Sequence, residues 1–296
     1  MIRTLTLRPS AKINLTLHVG PANETGYHDV RTILQSIALH DTLRLTSKRG
    51  PLALSIRQAD VPADRTNLVW RAAEALWRAA GRDGDPRDVS ITLDKVIPVA
   101  AGLGGGSADA AAALTGLNAI WKLRLSHSDL RRIAASLGAD VPFFLLGGTA
   151  MGLGRGDDLF PLSEVPRLGI VIIKPDFGVS TVDAYRWLDA DRASGLVGAS
   201  GPAQELTVGW GTGPVALIND LEAPARRRHP GIGEAIDACL AAGARAAAMT
   251  GSGSAVFGVF SEAAAPKAAR RLRRPGWLVL DTRTLSRRES GRRIGL

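Results

Sequence analysis

The chain has 296 residues, of which 45% are hydrophobic and 22% are charged. These fractions are close to the average for globular proteins, so they exclude an intrinsically disordered chain and a collagen-like fibre. The single cysteine, Cys239, excludes an internal disulfide scaffold. The sequence has no run of 18 apolar residues, so we expect no membrane-spanning helix and no membrane partner. Residues 1–7 lack the basic region and continuous apolar core of a signal peptide, which favours a cytoplasmic location.

The formal net charge is +9, and it is unevenly distributed. Residues 226–296 contain 14 Lys and Arg against five Asp and Glu, which accounts for the whole excess. Few aromatic residues lie between these arginines, so the pattern does not indicate a base-stacking platform and we expect no nucleic-acid partner. We interpret the charge as a solvated face followed by a frayed basic tail over residues 286–296. Such a basic field is compatible with the attraction of a polyanionic substrate.

Strand-like and helix-like segments are mixed along the chain, which predicts an α+β fold. The predicted strands are 2–8, 11–19, two runs within 31–47, 89–97, 168–174, 255–260 and 277–281, and residues 246–249 come directly before a second glycine loop. The predicted helices are 107–123, 126–137, 181–188, 231–242 and 263–273. We expect the second helix to begin at an N-cap, Ser126 or Ser128. The Gly, Ala and Ser-rich segment 190–213 shows no periodic core pattern.

Two lobes are predicted, with their boundary between residues 150 and 167. A glycine-rich turn at 147–156, followed by Pro161 and Pro166, interrupts the hydrophobic pattern there. We therefore expect an N-terminal lobe at 1–160, a C-terminal lobe at 161–285 and a basic tail at 286–296.

A glycine-rich loop between a predicted strand and a predicted helix is the strongest functional signal. Glycines let the backbone approach an anion and direct its N–H groups at it, and the helix N-terminus adds partial positive charge. The alternative is a flexible turn, but four glycines in five residues directly before a helix favour a phosphate site. The loop consists of Pro98, Val99, Ala100, Ala101, Gly102, Leu103, Gly104, Gly105, Gly106, Ser107 and Ala108.

The common nucleotide-binding patterns do not account for this loop. A Walker A motif requires a Gly-Lys dipeptide, and the chain contains none. The Rossmann pattern fails because its sixth position, counted from Gly102, is Ser107. The triplet Asp176-Phe177-Gly178 has no preceding His-Arg-Asp loop, so we attribute its likeness to the protein-kinase magnesium motif to chance.

Five motifs in order along residues 9–258 resemble the GHMP small-molecule kinase superfamily. Each alone is a weak signal, whereas the ordered set is specific. They are Pro9-Ser-Ala-Lys12-Ile-Asn14, Gly26-Tyr27-His28, the loop Pro98 to Ala108, Leu137-Gly-Ala-Asp140-Val-Pro142, and Met249-Thr-Gly251-Ser252-Gly253-Ser254. Together they resemble the superfamily members of the non-mevalonate isoprenoid pathway, whose acceptor is a cytidine diphosphate derivative of methylerythritol. Many superfamily members have two serines where this chain has Gly105 and Gly106, so the magnesium ligands stay open.

The resemblance implies a two-lobed fold, with a lobe like domain 2 of ribosomal protein S5 followed by a ferredoxin-like lobe. It implies ATP and Mg²⁺ as cofactors and the transfer of the γ-phosphate to an alcohol. Lys12 and Asp140 match the catalytic lysine and aspartate of the family. The alternatives are that Asp140 caps a helix-terminating turn and that Lys12 protects a strand edge.

The resemblance also implies which residues contact the acceptor and the nucleotide. Tyr27 and Tyr185 match the cytosine-stacking aromatics, and His28 is placed to recognise the base edge. Asn14 and Thr181 are further acceptor contacts, and the loop Gly251, Ser252 and Gly253 belongs to the same site. Asn67 and Lys95 are weaker candidates for the adenosine side, where they are alternatively a helix cap and a surface charge.

Two other functions remain open from the sequence. A homoserine or mevalonate kinase shares the glycine loops but has no need for the two tyrosines and His28. A non-enzymatic RNA-associated protein would use the S5-like lobe and the basic C-terminal third, but has no use for Lys12 and Asp140. We expect a small-molecule kinase that is a monomer or a homodimer.

Overall fold

The structure, a computed structural model, describes residues 3–24, 26–58, 61–198 and 216–296. The strands are β1 Thr4–Leu7, β2 Ser10–Ala22, β3 His28–His40, β4 Thr42–Pro51, β5 Ala53–Ile56, β6 Arg87–Asp94, β7 Thr149–Leu153, β8 Asp158–Pro161, β9 Gly169–Pro175, β10 Ile218–Asn219, β11 Ala246–Met249, β12 Val256–Phe260 and β13 Trp277–Arg283. The helices are α1 Leu68–Ala79, α2 Gly105–Ile120, α3 His127–Leu137, α4 Val141–Leu146, α5 Thr181–Ala193, α6 Glu222–Arg228, α7 Pro230–Ala241, α8 Ala265–Leu272 and α9 Arg287–Arg293. At 16 residues, α2 is the longest described helix, and none in the described ranges can cross a bilayer.

The first sheet has the order β1-β4-β6-β5 and packs against α1 and α2. Along β6 the apolar residues alternate, so Val89, Ile91 and Leu93 are all buried in the core. Helix α2 is rich in alanine and buried from Ala108 to Leu117, which lets it lie close to the sheet. Because β6 leads directly into the glycine loop and α2, this packing holds the loop rigidly at one end of the sheet.

The central sheet has the order β10-β2-β3-β7-β8 and carries the first motif on β2. Residues 10–19 of β2 are all buried, because the strand lies between neighbours in the interior of the sheet. Its partner β10 is parallel to β2, with Ile218 opposite Thr16, although it comes from the second half of the chain. The two halves of the chain are therefore joined through one sheet.

The third sheet is antiparallel throughout, with the order β11-β12-β9-β13. When the four strands of this sheet are numbered in chain order, their order in the sheet is 2-3-1-4. This is the arrangement of a split β-α-β, ferredoxin-like unit. β8 ends at Pro161 in the central sheet and β9 begins at Gly169 in the third, so the chain changes sheet between these residues, and the lobe boundary at 150–167 stays a prediction.

Most predicted elements agree with the structure to within a few residues, and α3 begins at Ser126 with a capping box that includes Asp129. The elements that were not predicted are the helices α1, α4, α6 and α9 and the short strands β5, β7, β8, β10 and β11. Helix α5 extends to Ala193, into the segment predicted to lack a core pattern. The rest of that segment, 199–213, lies outside the described residues.

The expectation of a frayed basic tail is wrong. Residues 287–293 form α9, which begins with a capping box between Ser286 and Glu289. The Ile294 side chain is 3% exposed and packs into the core of the first sheet, and its carbonyl accepts a hydrogen bond from Thr115 Oγ1 at 2.8 Å. Arg293 donates to the Ala38 carbonyl at 2.9 Å. The arginines make the segment look solvated in the sequence, whereas one buried isoleucine, one capping box and two hydrogen bonds hold it in place.

We therefore expect Ile294→Ala to lower the free energy of unfolding by about 2–4 kcal/mol, the usual cost of truncating a buried isoleucine. Leu296→Ala is the matched control, because Leu296 is 47% exposed and its loss should change stability by less than about 0.5 kcal/mol. Chemical denaturation of both variants measures the difference. Equal stabilities would show that this terminus does not contribute to the core.

Candidate active site

A cleft of about 650 Å³ lies where β2, the glycine loop, α5 and the loop after β11 meet. This volume is typical of a small-molecule site. The predicted site residues that line it are Lys12, Asn14, Tyr27, Asn67, Lys95, Pro98, Val99, Ala100, Ala101, Gly102, Leu103, Gly104, Gly105, Gly106, Ser107, Asp140, Thr181, Tyr185, Gly251 and Ser252. Ala108, His28 and Gly253 lie behind this lining.

Lys12 and Asp140 face each other in the cleft. The distance from Lys12 Nζ to Asp140 Oδ2 is 3.6 Å, and Nζ also donates a hydrogen bond to Asn14 Oδ1 at 2.7 Å. Lys12 is 4% exposed within the central sheet, so it does not protect a strand edge. Asp140 precedes α4 but its side chain makes no capping hydrogen bond, which leaves the carboxylate directed into the cleft. Neither structural alternative accounts for this pair.

Hydrogen bonds fix the orientation of the Asn14 side chain. Its Nδ2 donates to Thr32 Oγ1 at 2.8 Å, and Thr32 Oγ1 donates to the Thr16 carbonyl at 2.7 Å. The Asn14 backbone N–H donates to Thr250 Oγ1 at 3.0 Å. Because Nδ2 is engaged by Thr32, Asn14 Oδ1 is turned towards Lys12, and it holds the ammonium group beside the carboxylate.

The glycine loop packs against backbone from the second half of the chain. A Cβ atom on Gly102 would lie 2.0 Å from the Thr250 carbonyl oxygen, and one on Gly104 would lie 2.7 Å from the Phe144 ring. Both glycines have positive φ, so a side chain is excluded by backbone conformation as well as by space. At Gly106 the nearest atom would be Leu68 Cδ1 at 3.6 Å, and a substitution there would change the cleft without disturbing the packing.

The N-terminus of α2 opens into the cleft. The first hydrogen bond along the helix runs from the Ala108 N–H to the Gly104 carbonyl, so the N–H groups of Gly105, Gly106 and Ser107 have no acceptor within the helix. These donors and the helix dipole favour an anionic group at this position. The cleft therefore has the donor set that phosphate oxygens need.

Lys95 lies beneath this loop and is not a surface charge. It is buried and forms ion pairs with Asp41 Oδ2 at 2.5 Å and Asp109 Oδ2 at 2.7 Å. Asp41 Oδ1 also accepts hydrogen bonds from the Val96 and Ile97 N–H groups at 2.5 and 2.8 Å, which ties down the start of the loop. Burial raises the pKa of the Asp109 carboxyl well above its usual range.

Asn67 is the N-cap of α1, because its Oδ1 accepts a hydrogen bond from the Val69 N–H at 2.8 Å. It also lines the cleft near Leu68, on the same side as Lys95 and Gly106. The structural role is therefore present, and contact with a nucleotide stays a prediction for Asn67 and for Lys95.

Aromatic residues also line the cleft. The Tyr27 ring is 45% exposed, while Tyr185 on α5 is partly buried, and this burial raises the pKa of its hydroxyl. The His28 ring lies behind Tyr185, with 5.0 Å between the ring centroids, and His28 Nε2 is 2.8 Å from Asp189 Oδ1. In this arrangement His28 supports Tyr185, and its contact with a base edge stays a prediction.

Comparisons with known proteins agree with this geometry. The family profiles described as GHMP kinases N terminal domain and GHMP kinases C terminal match residues 67–148 and 202–276. The 4-diphosphocytidyl-2-C-methyl-D-erythritol kinase of Pelotomaculum thermopropionicum is 44% identical over 96% of this chain and 99% of its own. A crystal structure of 4-(cytidine 5'-diphospho)-2C-methyl-D-erythritol kinase is 34% identical and superimposes with a TM-score of 0.79, covering 95% of this chain and 99% of that one.

The chain belongs to the 4-diphosphocytidyl-2-C-methyl-D-erythritol kinase family of GHMP kinases. The predicted two-lobed fold is confirmed. The homoserine kinase of Cytophaga hutchinsonii is 19% identical, with a TM-score of 0.67 and coverage of 96% of this chain and 95% of its own. That likeness concerns the fold alone.

Some residues of this GHMP kinase cleft were not predicted from the sequence. Arg155 lines the cleft from the turn between β7 and β8, and Thr32 and Thr250 hold Asn14. Arg155 stands between two glycines in the segment that was interpreted only as a lobe boundary. Thr250 lies within a recognised motif, but its contact with β2 spans 236 residues of sequence.

The helix that presents Tyr185 is anchored at its other end by Asp191. Arg228 Nη2 donates to Asp191 Oδ1 at 2.7 Å, and Arg227 donates to Oδ2. The Asp191 side chain is 3% exposed, and the hydrogen bonds from Arg228 and then Arg227 lower its pKa to about 2. α5 is thereby fixed to α6, which sets the position of the Tyr185 ring.

We expect Asp191→Asn to lower the free energy of unfolding at pH 7 by about 2 kcal/mol. A lowered pKa in the folded state contributes stability above the unfolded value of about 3.9. This contribution is lost as the pH falls towards about 2, so the gap between the parent and the variant should close over that interval. Denaturation curves from pH 7 to pH 2 test this. Asp183→Asn is the control, since Asp183 forms a surface pair with Arg186. A stability difference between the parent and Asp191→Asn that persisted at pH 2 would contradict the ion-pair role.

Proposed function

We propose that this cleft transfers the γ-phosphate of ATP to the 2-hydroxyl of 4-diphosphocytidyl-2-C-methyl-D-erythritol, a step of the non-mevalonate isoprenoid pathway. One observation carries the proposal: the pair Lys12–Asp140 lies in the same cleft as the N-terminus of α2 and two tyrosines, in a chain of this kinase family.

ATP fits at the glycine loop because the loop offers backbone donors and no side chains that would obstruct the phosphates. The free N–H groups of Gly105, Gly106 and Ser107 would bind phosphate oxygens, with the helix dipole adding to the attraction. Asn67 and Lys95 line the cleft near this loop and would lie on the adenosine side of the phosphates. A rigid loop costs little reorganisation when charge accumulates in the transition state.

Lys12 and Asp140 act at the acceptor hydroxyl in this proposal. An alcohol is a weak nucleophile, so a carboxylate that accepts or orients its proton assists the attack on phosphorus. The Lys12 ammonium group stabilises the negative charge that spreads over the transferring phosphoryl group. Its hydrogen bond to Asn14 and the 3.6 Å contact with Asp140 hold it there before substrates bind.

Mg²⁺ fits this site as an ion held chiefly by the phosphates of ATP, which is its usual mode in kinases. Among the described residues no group of three His, Cys, Asp or Glu side chains forms a dedicated metal site. The Ser107 hydroxyl and the Asp140 carboxylate are among the side-chain oxygens of the cleft lining, and they would complete the coordination of the ion. When bound, the ion would neutralise charge on the phosphates.

The cytosine of the acceptor would lie between Tyr27 and Tyr185. Both rings line the cleft, and the Tyr185 ring is held by His28. Thr181 Oγ1 is 3.0 Å from Ser252 Oγ, which joins α5 to the second glycine loop at the acceptor side. Homoserine and mevalonate have no ring to stack, so this aromatic pair supports the cytidyl acceptor.

A panel of acceptors with ATP tests the function directly. We expect phosphorylation of the cytidyl acceptor and no turnover of homoserine or mevalonate. Tyr185→Ala should raise the KM for the cytidyl acceptor roughly 5- to 150-fold, since stacking on one aromatic ring contributes about 1–3 kcal/mol. Tyr185→Phe keeps the ring and should cost much less. Comparable turnover of homoserine or mevalonate, or a KM increase confined to ATP, would overturn the assignment of the acceptor.

Replacement of Asp140 tests the chemistry. Asp140→Asn keeps the size of the side chain but removes the charge, so we expect kcat to fall about 100-fold or more with the KM for ATP little changed. Lys12→Ala should lower kcat similarly, and the double variant should be far less than multiplicatively worse if the two act together. Near-normal turnover of folded Asp140→Asn would remove this residue from the mechanism.

A further inference from the structure

One asparagine side chain holds the second glycine loop, residues 251–253, from outside the lining of the cleft. Asn219 is the last residue of the short strand β10, and its Nδ2 donates hydrogen bonds to the Met249 carbonyl at 2.8 Å and to the Gly251 carbonyl at 2.9 Å. Its Oδ1 accepts a hydrogen bond from the Leu221 N–H at 3.0 Å, so the two ends of the amide cannot exchange without losing all three bonds. Both Nδ2 hydrogens are therefore directed at the two residues that flank Thr250.

The loop needs this support because it follows the edge of a sheet. In the described residues β11 is an edge strand of the third sheet, and its last residue, Met249, pairs with Val256 of β12 on one side only. The Met249 N–H donates to Glu222 Oε2 at 2.8 Å, and its carbonyl accepts from Asn219, so both groups point away from β12. Asn219 and Glu222 belong to one short segment, from the end of β10 to the start of α6. This segment therefore supplies the hydrogen-bond partners that the edge strand lacks.

A series of hydrogen bonds leads from the held backbone to the Lys12 ammonium group. Thr250 Oγ1 accepts a hydrogen bond from the Asn14 N–H at 3.0 Å and donates one to Asn14 Oδ1 at 3.3 Å. The same Asn14 oxygen accepts the 2.7 Å hydrogen bond from Lys12 Nζ. A Cβ atom on Gly251 would lie 3.4 Å from Lys12 Nζ, so the backbone that Asn219 holds also lies directly beside the ammonium group. Asn219 is thus connected to Lys12 through both Thr250 and Gly251.

The alignment of Lys12 matters in the proposed function because its charge must already be in place when negative charge spreads over the transferring phosphoryl group. We propose that Asn219 is a positioning residue, which holds Thr250 and Gly251 so that the Lys12 ammonium group stays aligned with this phosphoryl group. The inference rests on the proposed function and adds to it a residue outside the lining of the cleft. Without the Nδ2 donors the loop can shift, and a displacement of about 1 Å in an active site can lower a rate roughly 100-fold.

Steady-state kinetics of Asn219→Ala test the proposal, with the acceptor that the parent protein phosphorylates in the acceptor panel. We expect kcat to fall about 10- to 100-fold because Lys12 loses its alignment, while the KM values for ATP and for the acceptor change less than about twofold. Asn219→Asp keeps the size of the side chain but cannot donate, so it should lower kcat to a similar extent. All rates are measured well below the lowest thermal midpoint of the set, so that every variant is folded.

Asn118→Ala is the matched control. Asn118 Nδ2 donates to the Leu125 carbonyl and its Oδ1 accepts from the Leu125 N–H, both at 3.1 Å, so this partly buried asparagine also holds a turn. It lies near the C-terminal end of α2, about 20 Å along the helix from Gly105. Its replacement should lower the thermal midpoint, as Asn219→Ala does, but it should leave kcat unchanged.

A double variant shows whether Asn219 acts through Lys12. Lys12→Ala removes the group that Asn219 aligns, so the addition of Asn219→Ala to Lys12→Ala should change kcat less than about twofold. A general loss of folded protein would lower the activity by the same factor in both backgrounds. The double variant therefore separates a positioning role from a merely structural one.

Three results would overturn the inference. If Asn219→Ala lowers the thermal midpoint and leaves kcat unchanged, Asn219 only stabilises the fold, as Asn118 does. If Asn219→Ala lowers kcat by the same factor in the parent and in Lys12→Ala, its effect does not pass through Lys12. If only a KM value rises, Asn219 serves the binding of that substrate.

Failure of the proposed function is a separate outcome. A parent protein that phosphorylates homoserine or mevalonate in place of the cytidyl acceptor would overturn the proposed function, and the same variants then test Asn219 with the acceptor that is used. A parent protein that phosphorylates none of the three acceptors would overturn both.

Discussion

The close approach of two backbone segments is the constraint on which the active site depends. Gly102 lies against the Thr250 carbonyl so tightly that a Cβ atom would be 2.0 Å from the oxygen, and the Ala255 N–H donates to the Ala101 carbonyl. The Lys12 N–H donates to the Leu103 carbonyl at 3.0 Å, which attaches β2 to the same point. Three segments distant in sequence thus meet around one ammonium group, and any side chain on Gly102 would separate them.

Support from behind the cleft extends this rigidity to the substrate positions. The Lys95–Asp41 pair holds the start of the glycine loop, and Asp191 fixes the helix that carries Tyr185. Buried ion pairs of this kind cost desolvation and add modest net stability, but they restrict their elements to one arrangement. The chemistry needs such restriction, because phosphoryl transfer depends on the alignment of donor and acceptor more than on any covalent step by the protein.

Local patterns account for the parts of the site that could be predicted. The glycine loop, Lys12 and Asp140 are recognisable because each belongs to a short motif. Lys95 and residues 286–296 show where such patterns fail. Both look like solvated charge in sequence, yet Lys95 lies between two buried carboxylates and residues 286–296 end in the buried Ile294. Helix α4 also escaped prediction, since six apolar residues do not distinguish a helix from a strand.

The sequence by itself determined the family, the two-lobed fold, the position of the glycine loop and the choice of Lys12 and Asp140 as the candidate pair, because these depend on ordered motifs and local backbone preferences. Only the tertiary structure decided how the side chains meet. It turned the His28 ring behind Tyr185 towards Asp189, brought Thr250 to Asn14 across 236 residues, and placed Arg155 beside Tyr27. Contacts of this kind arise from the packing of whole sheets, and the neighbouring residues along the chain do not indicate them.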